Sequence, residues 1–460
     1  MIITGLLDIP ELDWRKDDID QFLADLRGCL SPQGDIVSST SNDLTFRVFG
    51  EHLSPQEVVR RICDAVAADG LSALLRYTRD LDGVELEEDE VRVPLAEMEA
   101  AHRDVDASFL DSIRAIRANL ETYQTAILAK DVALEPREGV RLTHRYTPLK
   151  RVGICVPGGA AAYPSSVLMT AIPAQAAGVQ DLVVVAPPTK NGSYNREVLA
   201  TCHELGIESV YRVGGAQAVA AMAFGVQGLE PVDKIVGPGN LFVALAKKRV
   251  YGQCDIDSIA GPSEVLVIAD GTAQSKFVAA DLLAQAEHFP GSAVLLSTDA
   301  DLLRSVRDDL GSLLVDLSRA DLTIASLNEY SGLVLVEDME QAVRLANQMA
   351  PEHLHLQTES PDRWIPRLTT CGALFVGHQT AVALGDYVAG PSHVLPTGAT
   401  ARWASGLSSN DFLRPSSVIE YAQVGLERDG LHAQRVARQE GLTAHALSIE
   451  VRLEGEGSNE

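Results

Sequence analysis

Long apolar runs are missing from this 460-residue chain. No window holds about 18 uninterrupted apolar residues, so no membrane-spanning helix is expected. Cysteine is sparse: Cys29, Cys63, Cys155, Cys202, Cys254 and Cys371 are all there are, and none forms a CxxC pair. They are too few and too scattered for a disulfide framework or a thiolate zinc site, and they predict reduced, buried thiols in a cytoplasmic protein. Basic residues are outnumbered, with 38 Lys and Arg against 64 Asp and Glu, a formal charge of −26. So acidic a chain repels phosphate backbones and anionic lipid, which argues against nucleic-acid and membrane partners. The opening Met1-Ile2-Ile3-Thr4-Gly5 lacks the basic and apolar regions of a secretory signal. There is no Walker A motif, and no GxGxxG at the glycine-rich turns.

What is present is an ordinary globular balance, 46% hydrophobic and 22% charged, long enough for roughly three domains. Residues 13–30 suit one or two short helices, and the polar stretch 32–42 suits a linker or hairpin turn. Ser54-Pro55-Gln56-Glu57 has the make-up of a capping box, Val58, Ile62 and Val66 share a helical face, and Gly70 is a stop. Residues 95–130 predict a second long helical stretch, broken near Asp104. From residue 151 onward, short β-branched runs alternate with helical patterns: 151–156, 181–186, 209–213, 233–236, 264–269, 293–297, 332–336 and 373–376. Continuous apolar strands separated by helices imply parallel sheets covered on both faces. Eight strands exceed one mononucleotide-binding half, so two α/β domains are expected, dividing near Gly261-Pro262. The tail from about Ser408 reads as helical and charged, fraying over 455–460.

Three strand–glycine–helix turns follow one another: Pro157-Gly158-Gly159, Gly214-Gly215-Ala216-Gln217 and Gly237-Pro238-Gly239-Asn240. Each alone is a tight turn; in consecutive β–α units they suggest an anion or nucleotide site at the carboxyl ends of the strands. Gln285 and His288 lie three apart on one helical face, able to hold a metal or a polar ligand; the blander alternative is a helix-end His complementing the dipole. In Ala350-Pro351-Glu352-His353-Leu354 a carboxylate and an imidazole stand adjacent, where an α/β domain usually places its active-site loops. Asp386, in a glycine-punctuated loop, is a hard oxygen ligand or a turn-capping Asp. Glu440 and His445 supply another carboxylate and imidazole in the tail. Together Gln285, His288, Asp386 and His445 form a nitrogen and oxygen set suited to Zn²⁺, Mn²⁺ or Co²⁺.

Six blocks taken together resemble the histidinol dehydrogenase family: residues 232–240, Ala260-Gly261-Pro262-Ser263-Glu264-Val265, 281–288, 350–354, 385–397 and 442–445. The resemblance runs from about residue 150 to 446. It implies an α/β fold of two Rossmann-like domains with mostly parallel sheets, plus small N-terminal and C-terminal helical segments. The implied division is an N-terminal segment 1–50, one α/β domain from 51–154 and 263–407 with the metal and catalytic residues, an NAD-binding α/β domain 155–262, and a dimer-swapped helical tail 408–460. The implied reaction, the last steps of histidine biosynthesis, oxidises L-histidinol by two NAD⁺ and water through L-histidinal to L-histidine.

By the same resemblance, Glu352 and His353 are catalytic, and one Zn²⁺ per subunit binds Gln285, His288, Asp386 and His445. Ser263, Gln285, His288, His353, Asp386, Glu440 and His445 contact substrate, and Gln217, Asn240 and the position of Cys155 contact NAD. Glu440 and His445 would complete the other subunit's site in a homodimer. At Cys155 family members often carry a Tyr that touches NAD; a thiol cannot stack like a phenol, so either NAD binds more weakly here or a neighbour such as Tyr163 compensates. A relative acting on another small polar alcohol, such as a sulfonated diol, and a non-catalytic metal- or nucleotide-binding module are the competing expectations.

Overall fold

A computed structural model describes residues 7–30, 39–159 and 161–454. The opening Met1-Ile2-Ile3-Thr4-Gly5, residues 32–38 of the expected linker and the frayed end 455–460 lie outside the described residues. The strands in chain order are β1 (Glu11–Asp13), β2 (Val132–Arg137), β3 (Val140–Pro148), β4 (Arg151–Cys155), β5 (Asp181–Val185), β6 (Ser209–Tyr211), β7 (Lys234–Val236) and β8 (Asp255–Ile256). They continue with β9 (Ser263–Ala269), β10 (Gly291–Ser297), β11 (Gly332–Leu335), β12 (His353–Gln357), β13 (Ala373–Val376) and β14 (Leu413–Tyr421). All eight apolar runs read from the sequence are strands, within two residues of their expected limits.

Two parallel sheets carry the fold. One has the order β6-β5-β4-β7-β8, the other β1-β11-β10-β9-β12-β13. In the first, the chain moves outward from β4 to β6 and then restarts on the other side at β7. The crevice between β4 and β7 is therefore a topological switch point, the usual place for a ligand in an open α/β sheet. The second repeats the scheme, outward from β9 to β11 and then back to β12. Each sheet is buried on both faces. Val183, Val185 and Ile235 pack on one side of the first and Ile154, Val184 and Val236 on the other. Val265 and Leu295 pack against one layer of the second sheet, Leu266 and Leu296 against the opposite one. This double burial is why these strands read as unbroken apolar runs.

The packing differs from the expected domain division. Val58, Ile62 and Val66 of helix Pro55–Asp69 meet Val219 and Met222, while Met98, Ile113 and Leu120 meet Ile154 and Leu168. The helices between residues 55 and 126 thus cover the five-stranded sheet, not the sheet of 263–407, and β4 is the centre of that same sheet. The N-terminal segment instead completes the other one: β1 pairs with β11, and Leu23 and Leu26 pack with Leu266 and Leu296. Periodicity identifies a helix's apolar face but not the sheet that covers it. Two local expectations also change. Helix Ser39–Phe49 begins within residues 32–42, where a linker or hairpin turn is expected. Ser54 accepts the Glu57 N–H at 3.3 Å, but the Glu57 carboxylate bonds Arg60 and Arg61 rather than closing the capping box.

The tail is not purely helical. β14 pairs antiparallel with β3, and β3 with β2, before the helices Gln423–Gln439 and Thr443–Leu453 pack on each other. Among the described residues no helix is long and apolar enough to cross a membrane.

Candidate active site

Helix Met339–Met349 ends at Ala350, which takes the left-handed conformation (φ 48°, ψ 60°). A non-glycine residue there is uncommon and costs on the order of 1 kcal/mol or more. Pro351 follows, and the turn delivers Glu352 and His353 to the start of β12, both buried. Glu352 Oε2 accepts the Glu264 N–H at 3.0 Å, and the Ser263 hydroxyl also donates to this carboxylate. His353 Nδ1 lies 3.2 Å from the Glu264 carbonyl and 3.6 Å from Glu352 Oε2. That carbonyl can only accept, so Nδ1 carries a proton. Nε2 is turned to Asp386 Oδ1 at 3.6 Å.

Burial raises the Glu352 carboxyl, against the pull of His353. Burial acts to lower His353, but Glu352 and Asp386 outweigh it and push the imidazole up to about 9. Burial also works to raise Asp386, yet its bond to His353 holds the carboxyl below its ordinary value. Gln285 is buried at the end of helix Ser275–Ala286, and its Nε2 has no hydrogen-bond partner among the described residues. His288, one turn on, is exposed at the rim. Removal of water by neighbouring atoms lowers its imidazole, while the Asp386 charge acts the other way. Gln285, His288, Ser263, Glu352, His353 and Asp386 therefore gather at one end of the six-stranded sheet.

That end is the amino end of β9, β10 and β12. The expectation that Glu352 and His353 occupy the usual active-site loops, at the carboxyl ends, does not hold for this sheet. The loop precedes its strand, and the crossover helix Ser275–Ala286 runs back to the same edge.

Glu440 and His445 are not part of this cluster within one chain. Both are exposed, and His445 sits on a helix whose main contacts are with helix Gln423–Gln439. Among the described residues no three His, Cys, Asp or Glu side chains are arranged to hold a metal ion.

Sequence reasoning passed over two groups at the cluster. Glu264 is buried; its Oε1 accepts the Gly398 N–H at 2.9 Å, and its Oε2 has no partner among the described residues. Burial and the Glu352 charge push its carboxyl up to about 8. The available signal was a lone acid near the start of the otherwise apolar run Ser263–Ala269. The other is His393, whose Nδ1 lies 3.0 Å from the Asp386 carbonyl. Beside it, Ser392 Oγ donates to the Met169 carbonyl at 2.7 Å and ties this loop to the five-stranded unit.

The three glycine turns do converge. They line a cavity of about 340 Å³ at the carboxyl ends of β4 to β7, reaching from Pro157-Gly158-Gly159 past Gly214-Gly215 to Pro238-Gly239-Asn240. Gly237 has φ 102°, and a Cβ there would stand 2.3 Å from the Cys155 carbonyl oxygen, so only glycine fits. Asn240 lines the cavity and caps helix Leu241–Val250 through the Val243 N–H at 3.1 Å. Cys155 lies in the wall, and burial pushes its thiol up to about 11, so it is neutral and unreactive. Tyr163 lines the same cavity. Gln217 is buried in the first turn of helix Gly215–Phe224, and its Nε2 donates to Asp82 Oδ2 at 3.1 Å. Asp82 is a third group that sequence reasoning passed over. Burial pushes it up to about 6 against the Gln217 bond.

A buried carboxyl–imidazole pair on one parallel sheet and a glycine-walled cavity on a second are two concave polar features of this α/β protein. Sequence comparison narrows this class: the profile of the histidinol dehydrogenase family matches residues 50–453, and the chain belongs to that family of oxidoreductases. The histidinol dehydrogenase of Rhodopirellula baltica is 58% identical over 442 residues, covering 96% of each chain. That of Moorella thermoacetica is 47% identical over 397 residues, covering 86% of this chain and 94% of its own. The crystal structure of histidinol dehydrogenase from Elizabethkingia anophelis superposes with a TM-score of 0.87 at 31% identity, covering 98% of this chain and 99% of that one.

Proposed function

We propose that this protein oxidises L-histidinol through an enzyme-held L-histidinal to L-histidine, in histidine biosynthesis, with two NAD⁺ as hydride acceptors. The observation that carries the reading is the buried Glu352–His353 pair, two proton-handling groups of different character side by side. An alcohol and an aldehyde hydrate each lose a proton and a hydride, and the two steps need different bases. His353 Nε2, facing the cleft, takes the hydroxyl proton in the first step. Glu352, held by the Glu264 N–H and Ser263, activates the water that adds to the aldehyde carbon. The hydrate then loses its second hydride and leaves as a carboxylate. In balance, one alcohol, one water and two NAD⁺ give one carboxylate, two NADH and three protons.

The residues present suit a divalent ion of the zinc type. Gln285 offers a buried amide end without a partner among the described residues, and a flipped amide presents oxygen there. Asp386 and His288 interact with each other beside it. Bound by Gln285, His288, Asp386 and a second copy's His445, such an ion would orient the substrate's amine and imidazole and offset the Asp386 charge. With Asp386 so engaged, His353 loses a partner that holds its proton. That brings the imidazole back toward the neutral form a base requires.

The cavity of the glycine turns is the proposed NAD site, with Gln217, Asn240 and the Cys155 wall as contacts. The pyrophosphate would lie in the β4/β7 crevice, where helix starts present free N–H groups. A homodimer with exchanged tails is part of the same proposal. Its support is the exposed apolar surface of the tail, where Ile419, Leu431, Val436, Leu447 and Val451 are each more than half exposed.

Step-resolved kinetics test the roles. His353→Asn should slow histidinol oxidation about 10²–10⁴-fold and histidinal oxidation much less. Glu352→Gln should show the opposite bias; a Glu352→Gln variant that makes histidine at the parent rate would remove Glu352 from the mechanism.

A further inference from the structure

In a doubly wound nucleotide-binding unit, the acid that reads the adenosine ribose stands at the end of the second strand. That strand here is β5, and it runs out into Ala186-Pro187-Pro188-Thr189, which has no carboxylate. The cavity wall nevertheless contains one acid. Asp82 comes from outside the unit, at the end of the helical turn Thr78–Asp82, and is the one charged residue lining the cavity among the described residues.

Its position along the wall is fixed from two sides. Its carboxylate takes the Gln217 amide N–H, in the first turn of the helix that follows β6. Gly214, just before that helix, abuts Pro187 just after β5: a Cβ on Gly214 would stand 2.7 Å from the Pro187 ring. Asp82 thus lies on the β5/β6 side, beyond the β4/β7 crevice. The chain runs from β7 and β8 into Ser263 and the catalytic cluster, so the β5/β6 side is the adenosine side.

We infer that Asp82 hydrogen-bonds the ribose hydroxyls of the adenosine half of the dinucleotide and makes the cavity reject a 2′-phosphate. The inference rests on the reading of this cavity as the NAD site and deepens it. Two acceptors meet here. With its Nε2 spent on Asp82, Gln217 keeps a buried Oε1 that has no partner among the described residues. A vicinal diol supplies two O–H donors, one for the Asp82 carboxylate and one for the Gln217 carbonyl. A 2′-phosphate replaces one donor with two negative charges. Among the described residues no Lys or Arg lines the wall to receive them, so rejection comes from repulsion as well as from a lost bond. Gln217 is then a positioning residue for Asp82 as well as a contact of its own.

The test is calorimetric titration of the full-length protein with NAD⁺ and, separately, NADP⁺, without substrate, for the parent and Asp82→Asn. Asparagine keeps the shape and removes the charge. The parent should bind NAD⁺ at least about 100-fold more tightly than NADP⁺. Asp82→Asn should weaken NAD⁺ by on the order of tenfold and bring the NADP⁺ affinity to within about tenfold of it. Thermal unfolding checks that the variant is folded, and Asp82→Ser, expected to behave alike, replaces it if it is not. A variant that keeps the parent's preference overturns the role of Asp82 while leaving the NAD site standing. A parent that binds both equally also overturns it, and a parent that binds neither removes the NAD reading together with it.

Discussion

A proton on Glu264 is the feature of the site most exposed to measurement. The folded chain holds this carboxyl at about 8 against an ordinary 4.5. Above about pH 4.5 the unfolded chain releases the proton and the folded chain keeps it, so stability falls as pH rises toward 8. Glu264→Gln abolishes that term. Between pH 5 and 8 the parent should lose a few kcal/mol of unfolding free energy that the variant does not lose, on a scale of about 1.4 kcal/mol per pKa unit. Urea titrations at the two pH values check it. His353 gives a second reading. Its imidazole stands near 9 although burial opposes this, because Glu352 and Asp386 outweigh the burial. Asp386→Asn should lower its midpoint, followed by NMR of the ring protons. Glu352 and His353 were legible as candidates because two chemically distinct side chains stood adjacent after a helix-ending proline. Glu264 and Asp82 were not. A single acid in an apolar run, or at the end of a helical turn, carries no partner in its own sequence, and burial next to a distant group gives each its character.

Among the elements, legibility followed burial. The eight apolar runs were readable because both faces of those strands are covered, leaving no polar alternation to misread; the short, partly exposed edge strands β1 and β8 of the same parallel sheets were not. β2, β3 and β14 were missed for the converse reason. Every residue of β2 is exposed, and only Val140 of β3 is fully buried, so neither strand shows an apolar face. The sheet edge bearing the site was also misjudged, since a sequence does not tell which end of a strand faces the cleft. Turns were more informative: three glycine motifs in successive β–α units do meet at one cavity. Gly237→Ala should destabilise the protein by roughly 1–3 kcal/mol and weaken NAD⁺ binding. Its Cβ meets the Cys155 carbonyl, and its φ of 102° is strained for alanine. Thermal unfolding and dinucleotide titration check both effects.

At the scale of the molecule, two sheets oppose complementary edges, the carboxyl end of one and the amino end of the other, with the 390–398 loop between. Ser392 bonds one unit, and the Gly398 N–H bonds Glu264 in the other. The tail stands apart with its apolar side chains uncovered, and Glu440 and His445 go with it. Leu447→Asp with Val451→Asp should shift sedimentation from dimer to monomer and cut activity at least tenfold. If tails are exchanged as proposed, mixing His445→Ala with His353→Asn subunits should restore part of the activity in verified heterodimers, because one of the two sites would then be intact. No restoration would place each site within one chain. Sequence could not decide this, because the ends of its candidate ligand set stand 160 positions apart, from Gln285 to His445.

The central claim is that one acid–imidazole pair carries an alcohol through to an acid without releasing the aldehyde. The direct measurement is the absorbance of NADH formed per histidinol consumed, run to completion with excess NAD⁺. Two equivalents are expected, with no aldehyde trapped by an added carbonyl reagent. A single equivalent, with histidinal accumulating in solution, would contradict it.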